Sequence, residues 1–144
     1  GGYLTHANEI VEEYGLRKNV YFAGEWGNVA EIIAVIDIGV LASHFEGFGN
    51  AVVEYMAMGK PPVGTDIGGI RDIIQDGITG FLVPPGDYKV LAEKIVFLLK
   101  NRASRAAMGK RSRSDAENRF SMPTWVDRIM EIYGCLYRIH RSAA

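Results

Sequence analysis

Glu46-Gly47-Phe48-Gly49-Asn50-Ala51-Val52-Val53-Glu54 is the stretch from which the fold is read. Its first half is a glycine-rich turn, its second half opens an apolar helix, and a carboxylate stands at each end. Asn50 is placed to cap the helix, because its side chain can accept from the free amides of the first turn. From Ala51 to Met58 every residue except Glu54 is apolar or aromatic, so the pattern predicts a helix buried nearly all round. Glu54 is out of place there, since a carboxylate in such a segment must find donors or bear a heavy desolvation cost. Asn50 and Glu54 are four residues apart and share a helix face, which brings Glu54 near the mouth of the loop. The two glycines let backbone approach a ligand closely. The helix N-terminus adds free amides and the positive end of its dipole. Two carboxylates flanking free amides suit a ligand that carries both hydroxyls and phosphates, as a sugar nucleotide does.

Outward from this stretch, strands and helices alternate. Upstream, Ile38-Gly39-Val40-Leu41-Ala42 is a continuous apolar run, the pattern of a strand covered on both faces. Val29 to Val35 reads as a short helix after Asn28, and Val20-Tyr21-Phe22-Ala23 as a short buried strand stopped by Gly24. A Gly1-Gly2 turn leads into a helix from Leu4 to Gly15, with Ile10, Val11 and Tyr14 as its apolar stripe. Downstream, Gly59 and Pro61 stop the central helix. Pro62 to Thr65 is the next strand, with proline tolerated at its start. Gly68-Gly69 opens a helix to about Gln75, and Gly80 to Val83 is a fourth strand. Helices follow near Tyr88–Lys100 and Ala103–Asn118. The last begins near Ser121, within a C-terminal segment taken as 119–144, and presents Val126, Ile129, Met130, Tyr133, Leu136 and Tyr137. This alternation predicts an α/β fold, a Rossmann-like parallel sheet with flanking helices. Ligands of such sheets bind beyond the carboxyl ends of the strands. The Glu46 loop and the Asp66–Gly69 loop both fall at such ends and are expected to face one crevice.

Composition bounds the function. The 144 residues fit one domain with its own core. With 16 basic and 17 acidic residues, bulk charge gives no argument for nucleic acid as a partner. A lone cysteine, Cys135, cannot close an internal disulfide and fits a reducing, cytoplasmic compartment. No signal peptide and no apolar run of about 18 residues is present. The chain begins Gly1-Gly2 without an initiator methionine and reads as a piece of something longer. No His, Cys or carboxylate set has metal-ligand spacing, so no metal is expected. Lys100, Arg102, Arg105, Lys110, Arg111 and Arg113 read as a solvated face; peripheral contact with an anionic membrane is the minor reading.

The motifs also carry a resemblance. Glu46 to Glu54 is E-x7-E, and it continues into Met56-Ala57-Met58-Gly59-Lys60-Pro61 and Gly64-Thr65-Asp66-Ile67-Gly68-Gly69. Asp76-Gly77-Ile78-Thr79-Gly80-Phe81-Leu82-Val83 and Pro84-Pro85-Gly86-Asp87 follow in order. Together, from Val20 to Tyr137, they resemble the C-terminal, nucleotide-sugar-binding domain of retaining glycosyltransferases of family four, the glycosyl transferases group one, with the GT-B fold. Residues 1–144 would then be a partial donor-binding domain, lacking its first strands and the N-terminal acceptor domain. The missing strands imply an uncovered sheet edge, a route to self-association. The resemblance implies transfer of a sugar from a nucleoside diphosphate sugar to an acceptor hydroxyl with retention, with no cofactor beyond the donor and no metal. It implies that Glu46 holds hydroxyls of the transferred sugar near its anomeric carbon, as the catalytic residue of this segment. Gly47, Phe48, Gly49 and Asn50 would present main-chain amides to sugar and phosphates, and Glu54 would accept from the ribose hydroxyls.

Plainer readings stand beside these. Glu54 could be a buried ion pair with Lys60 or Arg71, Glu46 a solvated loop acid, and the turn an ordinary entry into a helix. Phe48 reads as core rather than a stacking platform, and His44 as a solvated loop histidine. Other function classes are a non-catalytic nucleotide-sugar-binding module, a paired-carboxylate hydrolase, and a Rossmann-like oxidoreductase. The last needs G-x-G-x-x-G between a strand and a helix, which no strand here supplies.

Overall fold

The structure, a computed structural model, describes residues 2–142, with side-chain surroundings for residues 4–138. Gly1 of the expected opening turn and the last two residues of the expected terminal helix therefore lie outside the described residues. The elements are α1 (Gly2–Glu13), α2 (Val29–Val35), β1 (Gly39–Leu41), α3 (Asn50–Ala57), β2 (Pro62–Thr65), α4 (Gly68–Ile73), β3 (Phe81–Val83), α5 (Tyr88–Lys100), α6 (Arg102–Phe120) and α7 (Met122–Ser142).

The three strands form one parallel sheet in the order β1-β2-β3, with Gly39 opposite Pro62 and Val63 opposite Phe81. Parallel neighbours need a crossover; α3 makes the first and α4 the second. β2 is the central strand and all four of its residues are buried. Its side chains alternate between two layers, as strand geometry requires. Val63 packs with Val83, Leu98 and Met108 from β3, α5 and α6. Gly64 lies against α4, where an added Cβ would come 2.7 Å from Ile70 Cγ2. The second layer joins Val52 and Met56 of α3 to Ile70, Ile73 and Ile74 and to Ala116 of α6. Each such large aliphatic side chain contributes about 1.5–3 kcal/mol by leaving water.

Four expectations are corrected. Val20–Ala23 is not a strand: every residue from 12 to 31 is exposed, and Tyr21 is 84% exposed. A strand needs a neighbour to receive its backbone donors and acceptors, and no described strand lies beside this run. The sheet therefore has three described strands, not four. β1 is an edge strand rather than one covered on both faces, and Val40 stays 37% exposed. The helix α3 is buried on one side only. Val52 and Met56 are inside, while Glu54, Ala57 and Met58 are exposed, because the flanking α2 is only seven residues long. Asn50 is the first helical residue, not the cap: Gly49 holds the cap position at φ +92°, and no side chain caps the helix. That φ suits glycine alone without strain.

The terminal helix starts at Met122, because Ser121 is extended and ends α6; residues 119 and 120 belong to α6. Most of its expected apolar side is exposed, with Val126 44%, Met130 63% and Tyr133 65% exposed, while Ile129 is half-buried.

Candidate functional site

β1 and β2 end side by side, and the segments that follow them lock together backbone to backbone. A Cβ on Gly68 would sit 2.6 Å from the Glu46 carbonyl oxygen. One on Gly69 would sit 2.5 Å from both Cα and the carbonyl oxygen of Phe48. Only hydrogen fits at either position, so the Glu46 loop and the start of α4 share one rim of the sheet. A hydroxyl chain reinforces the contact. Buried Thr65, the last residue of β2, donates from Oγ1 to the Ser43 carbonyl at 2.6 Å. Ser43 Oγ in turn donates to Glu46 Oε1 at 3.0 Å. Glu46 is half-buried.

The turn leaves its amides unused. The first bonded amide at this end of α3 is Val52, which donates to Gly49 at 2.9 Å. Among the described residues the amides of Gly47, Phe48, Gly49, Asn50 and Ala51 have no acceptor. They form a cluster of donors at the positive end of the helix dipole.

Glu54 is exposed on α3 and lines a hollow of about 260 Å³ with Val29, Ala30, Ile33, Ala57 and Met58. The ion-pair reading fails for it. Lys60 Nζ donates to the Ala34 carbonyl at 2.9 Å, and Arg71 is bound to Asp66. Burial, and next the Glu54 carboxylate, push the neighbouring Tyr55 phenol above its ordinary value. Asn50 does not share this hollow: although four residues from Glu54, it lines a different concavity of about 610 Å³ with Phe48, Val53, Phe120 and Trp125. Phe48 is not core. It is 47% exposed, with its ring edge-on to Phe120 at 5.9 Å. The larger concavity contains neither acid, so size alone does not mark the site.

The family model described as glycosyl transferases group 1 matches residues 1–115. The chain belongs to the glycosyl transferases group 1 family. N-acetyl-alpha-D-glucosaminyl L-malate synthase of Bacillus anthracis is 36% identical over 125 residues, which is 87% of this chain and 33% of that protein. Anabaena Alr3699/HepE, solved in complex with UDP, superposes with a TM-score of 0.90 at 27% identity, over 93% of this chain and 37% of the other. The C-terminal domain of a glycosyl transferase group 1 family protein, LpcC of Francisella tularensis, superposes at 0.77 and 27% identity, over 84% of this chain and 64% of that one. The chain spans about a third of the length of the first two relatives. The parallel sheet with flanking helices is thus the Rossmann-like arrangement of GT-B glycosyltransferases.

In this group 1 chain the other sequence candidates have plain surroundings. His44 is exposed, beside a hollow of about 100 Å³ shared with Thr65, Pro84, Asp87 and Tyr88. Half of the basic run is engaged: Arg105 with Asp37 and the Leu98 carbonyl, Arg111 with the Ile78 carbonyl, and Arg113 with Glu117. Among the described residues no cluster of three or more His, Cys, Asp or Glu could hold a metal, and no helix is long and apolar enough to cross a membrane. Ser43 and Thr65 are site residues that the local sequence does not mark. Their only sequence signal is a hydroxyl residue just past one apolar strand and another at the end of the next, and its meaning depends on the register of β1 against β2.

Proposed function

We propose that this chain is the donor-binding part of a group 1 glycosyltransferase. The reaction moves a sugar from a nucleoside diphosphate sugar to an acceptor hydroxyl, with retention at the anomeric carbon. The observation that carries the reading is the cluster of unused amides at residues 47–51, with Glu46 before it and exposed Glu54 beyond it. A neighbour of the same fold was solved with UDP and with UDP-glucose, which supports a donor of this kind.

In this reading each group has a task. An ionised carboxylate is acceptor-only and can bridge two hydroxyls. Glu54 accepts from the ribose hydroxyls in the hollow between α2 and α3, which leaves the base toward Val29 and Ala30 at the start of α2. The amides at the head of α3 receive the sugar and diphosphate oxygens, and they stabilise charge as it builds on the departing diphosphate. Glu46 accepts from hydroxyls of the transferred sugar and fixes its pose against the acceptor. The full reaction proceeds with an acceptor-binding domain, in the cytoplasm.

A thermal-shift series with uridine, guanosine and adenosine diphosphates and their sugar conjugates tests this reading. A ligand that binds only the folded state raises the melting temperature. One series is expected to do so, and Glu54→Gln is expected to reduce its shift. No shift from any of them would overturn the donor reading. Binding without transfer, measured on one sample of a full-length relative carrying this segment, would favour the non-catalytic module instead.

A further inference from the structure

The geometry points to Ser43 and Thr65 as positioning residues that aim Glu46 at the transferred sugar. This inference rests on the donor reading and adds to it how the sugar-facing acid is held.

Glu46 lies in a loop rich in glycine on its C-terminal side, where nothing in the backbone pattern fixes a side-chain rotamer. Two contacts fix it. Its carbonyl is pinned by Gly68, where only a hydrogen fits. Its carboxylate is held at Oε1 by Ser43 Oγ, 3.0 Å away. The Ser43 hydroxyl has one proton to give, and giving it to Glu46 fixes the orientation of the serine side chain. Ser43 itself is fixed through its carbonyl by Thr65 Oγ1 at 2.6 Å. Thr65 is 3% exposed and sits in the central strand, opposite Val83. The buried central strand is therefore connected to the loop acid through two hydrogen bonds. Glu46 Oε2 has no partner among the described residues and remains for a ligand hydroxyl. A site held this way keeps its geometry without the ligand having to order it.

The consequence is selective. Loss of the Ser43 hydroxyl should affect ligands with a sugar beyond the diphosphate, and leave the nucleotide alone. Calorimetry on the 144-residue chain with UDP and UDP-glucose, or with GDP and GDP-mannose where guanosine binds tighter, separates the two. Ser43→Ala is expected to weaken the sugar conjugate about tenfold, the scale of a hydrogen bond to a charged group, and the bare diphosphate less than about twofold. Ser43→Thr keeps the hydroxyl and is expected to restore the conjugate. Thr65→Val keeps the shape of a buried side chain and is expected to give the same selective loss, about threefold. Equal losses on both ligands, or none on the conjugate, in variants with unchanged melting temperature would overturn the positioning role and leave the donor reading intact. Absence of binding by the wild-type chain to any of these ligands would overturn both.

Discussion

The segments 43–49 and 16–28 are both irregular, and they are built in opposite ways. The first lies at the end of β1. It is pinned through glycine contacts to α4 and through hydroxyls to β2. The second is exposed at every residue. Yet Val20–Ala23 and Ile38–Ala42 look alike as apolar runs. An apolar run expresses a tendency to be buried, but a strand is made by its neighbour's hydrogen bonds. β1 has β2 beside it; the earlier run has none among the described strands. In this chain a strand forms where a neighbouring strand supplies backbone partners, not wherever the local run is apolar.

The largest effect should come from breaking the first segment's lock. Gly69→Ala is expected to destabilise the fold by about 3 kcal/mol or more, because backbone rather than a mobile side chain blocks the new Cβ. The denaturant midpoint reads this directly. Gly47→Ala sharpens the contrast inside the same loop. No atom lies within 4 Å of its Cβ position, so its stability should change by less than about 0.5 kcal/mol.

Next in size is the ligand side. Glu54→Gln should weaken nucleoside diphosphate binding by about 1–3 kcal/mol. Unchanged affinity in a folded variant would remove the ribose role. Arg119→Ala should cost about 1–2 kcal/mol of stability. Its guanidinium donates to the Asp72 and Ile73 carbonyls at the end of α4 and to Asp115.

A smaller effect depends on pH. The Tyr55 phenol is held protonated above its ordinary 10.0, chiefly by burial and secondarily by Glu54. Folded protein then binds this proton more tightly than unfolded protein. The stabilisation is complete below 10.0 and is lost as pH rises through the folded value. Tyr55→Phe should flatten that alkaline decline in the denaturation midpoint. The smallest effect belongs to the exposed segment: Tyr21→Ser should shift stability by less than about 0.5 kcal/mol. A loss of several kcal/mol there would mean that residues 16–28 are held as firmly as 43–49.

Much of this was legible in the sequence. Pro62–Thr65 and Val29–Val35 have the bounds that their patterns predict: Gly27 and Asn28 precede the helix, and Pro61 and the Gly68-Gly69 pair bracket the strand. The shared rim of the Glu46 and Gly68 segments followed from both lying past strand ends. The family followed from several motifs in register. What was not legible depended on packing across the chain. The Glu54 face looked buried, since composition does not reveal that α2 is too short to cover it. Phe48 looked like core because its apolar ring carries no sign that the concavity it shares with Phe120 and Trp125 leaves it half-exposed. Gly49 rather than Asn50 holds the cap position because the backbone there is left-handed, at φ +92°. The Thr65–Ser43–Glu46 chain required the β1–β2 register, which no local pattern contains.

The most direct measurement is diffraction from this chain crystallised with the sugar nucleotide that most raises its melting temperature. The expected density puts the ribose hydroxyls on Glu54 between α2 and α3, the diphosphate at the amides of 47–51, and the sugar against Glu46. A nucleotide bound instead in the concavity of Phe48 and Trp125, with both carboxylates untouched, would contradict it.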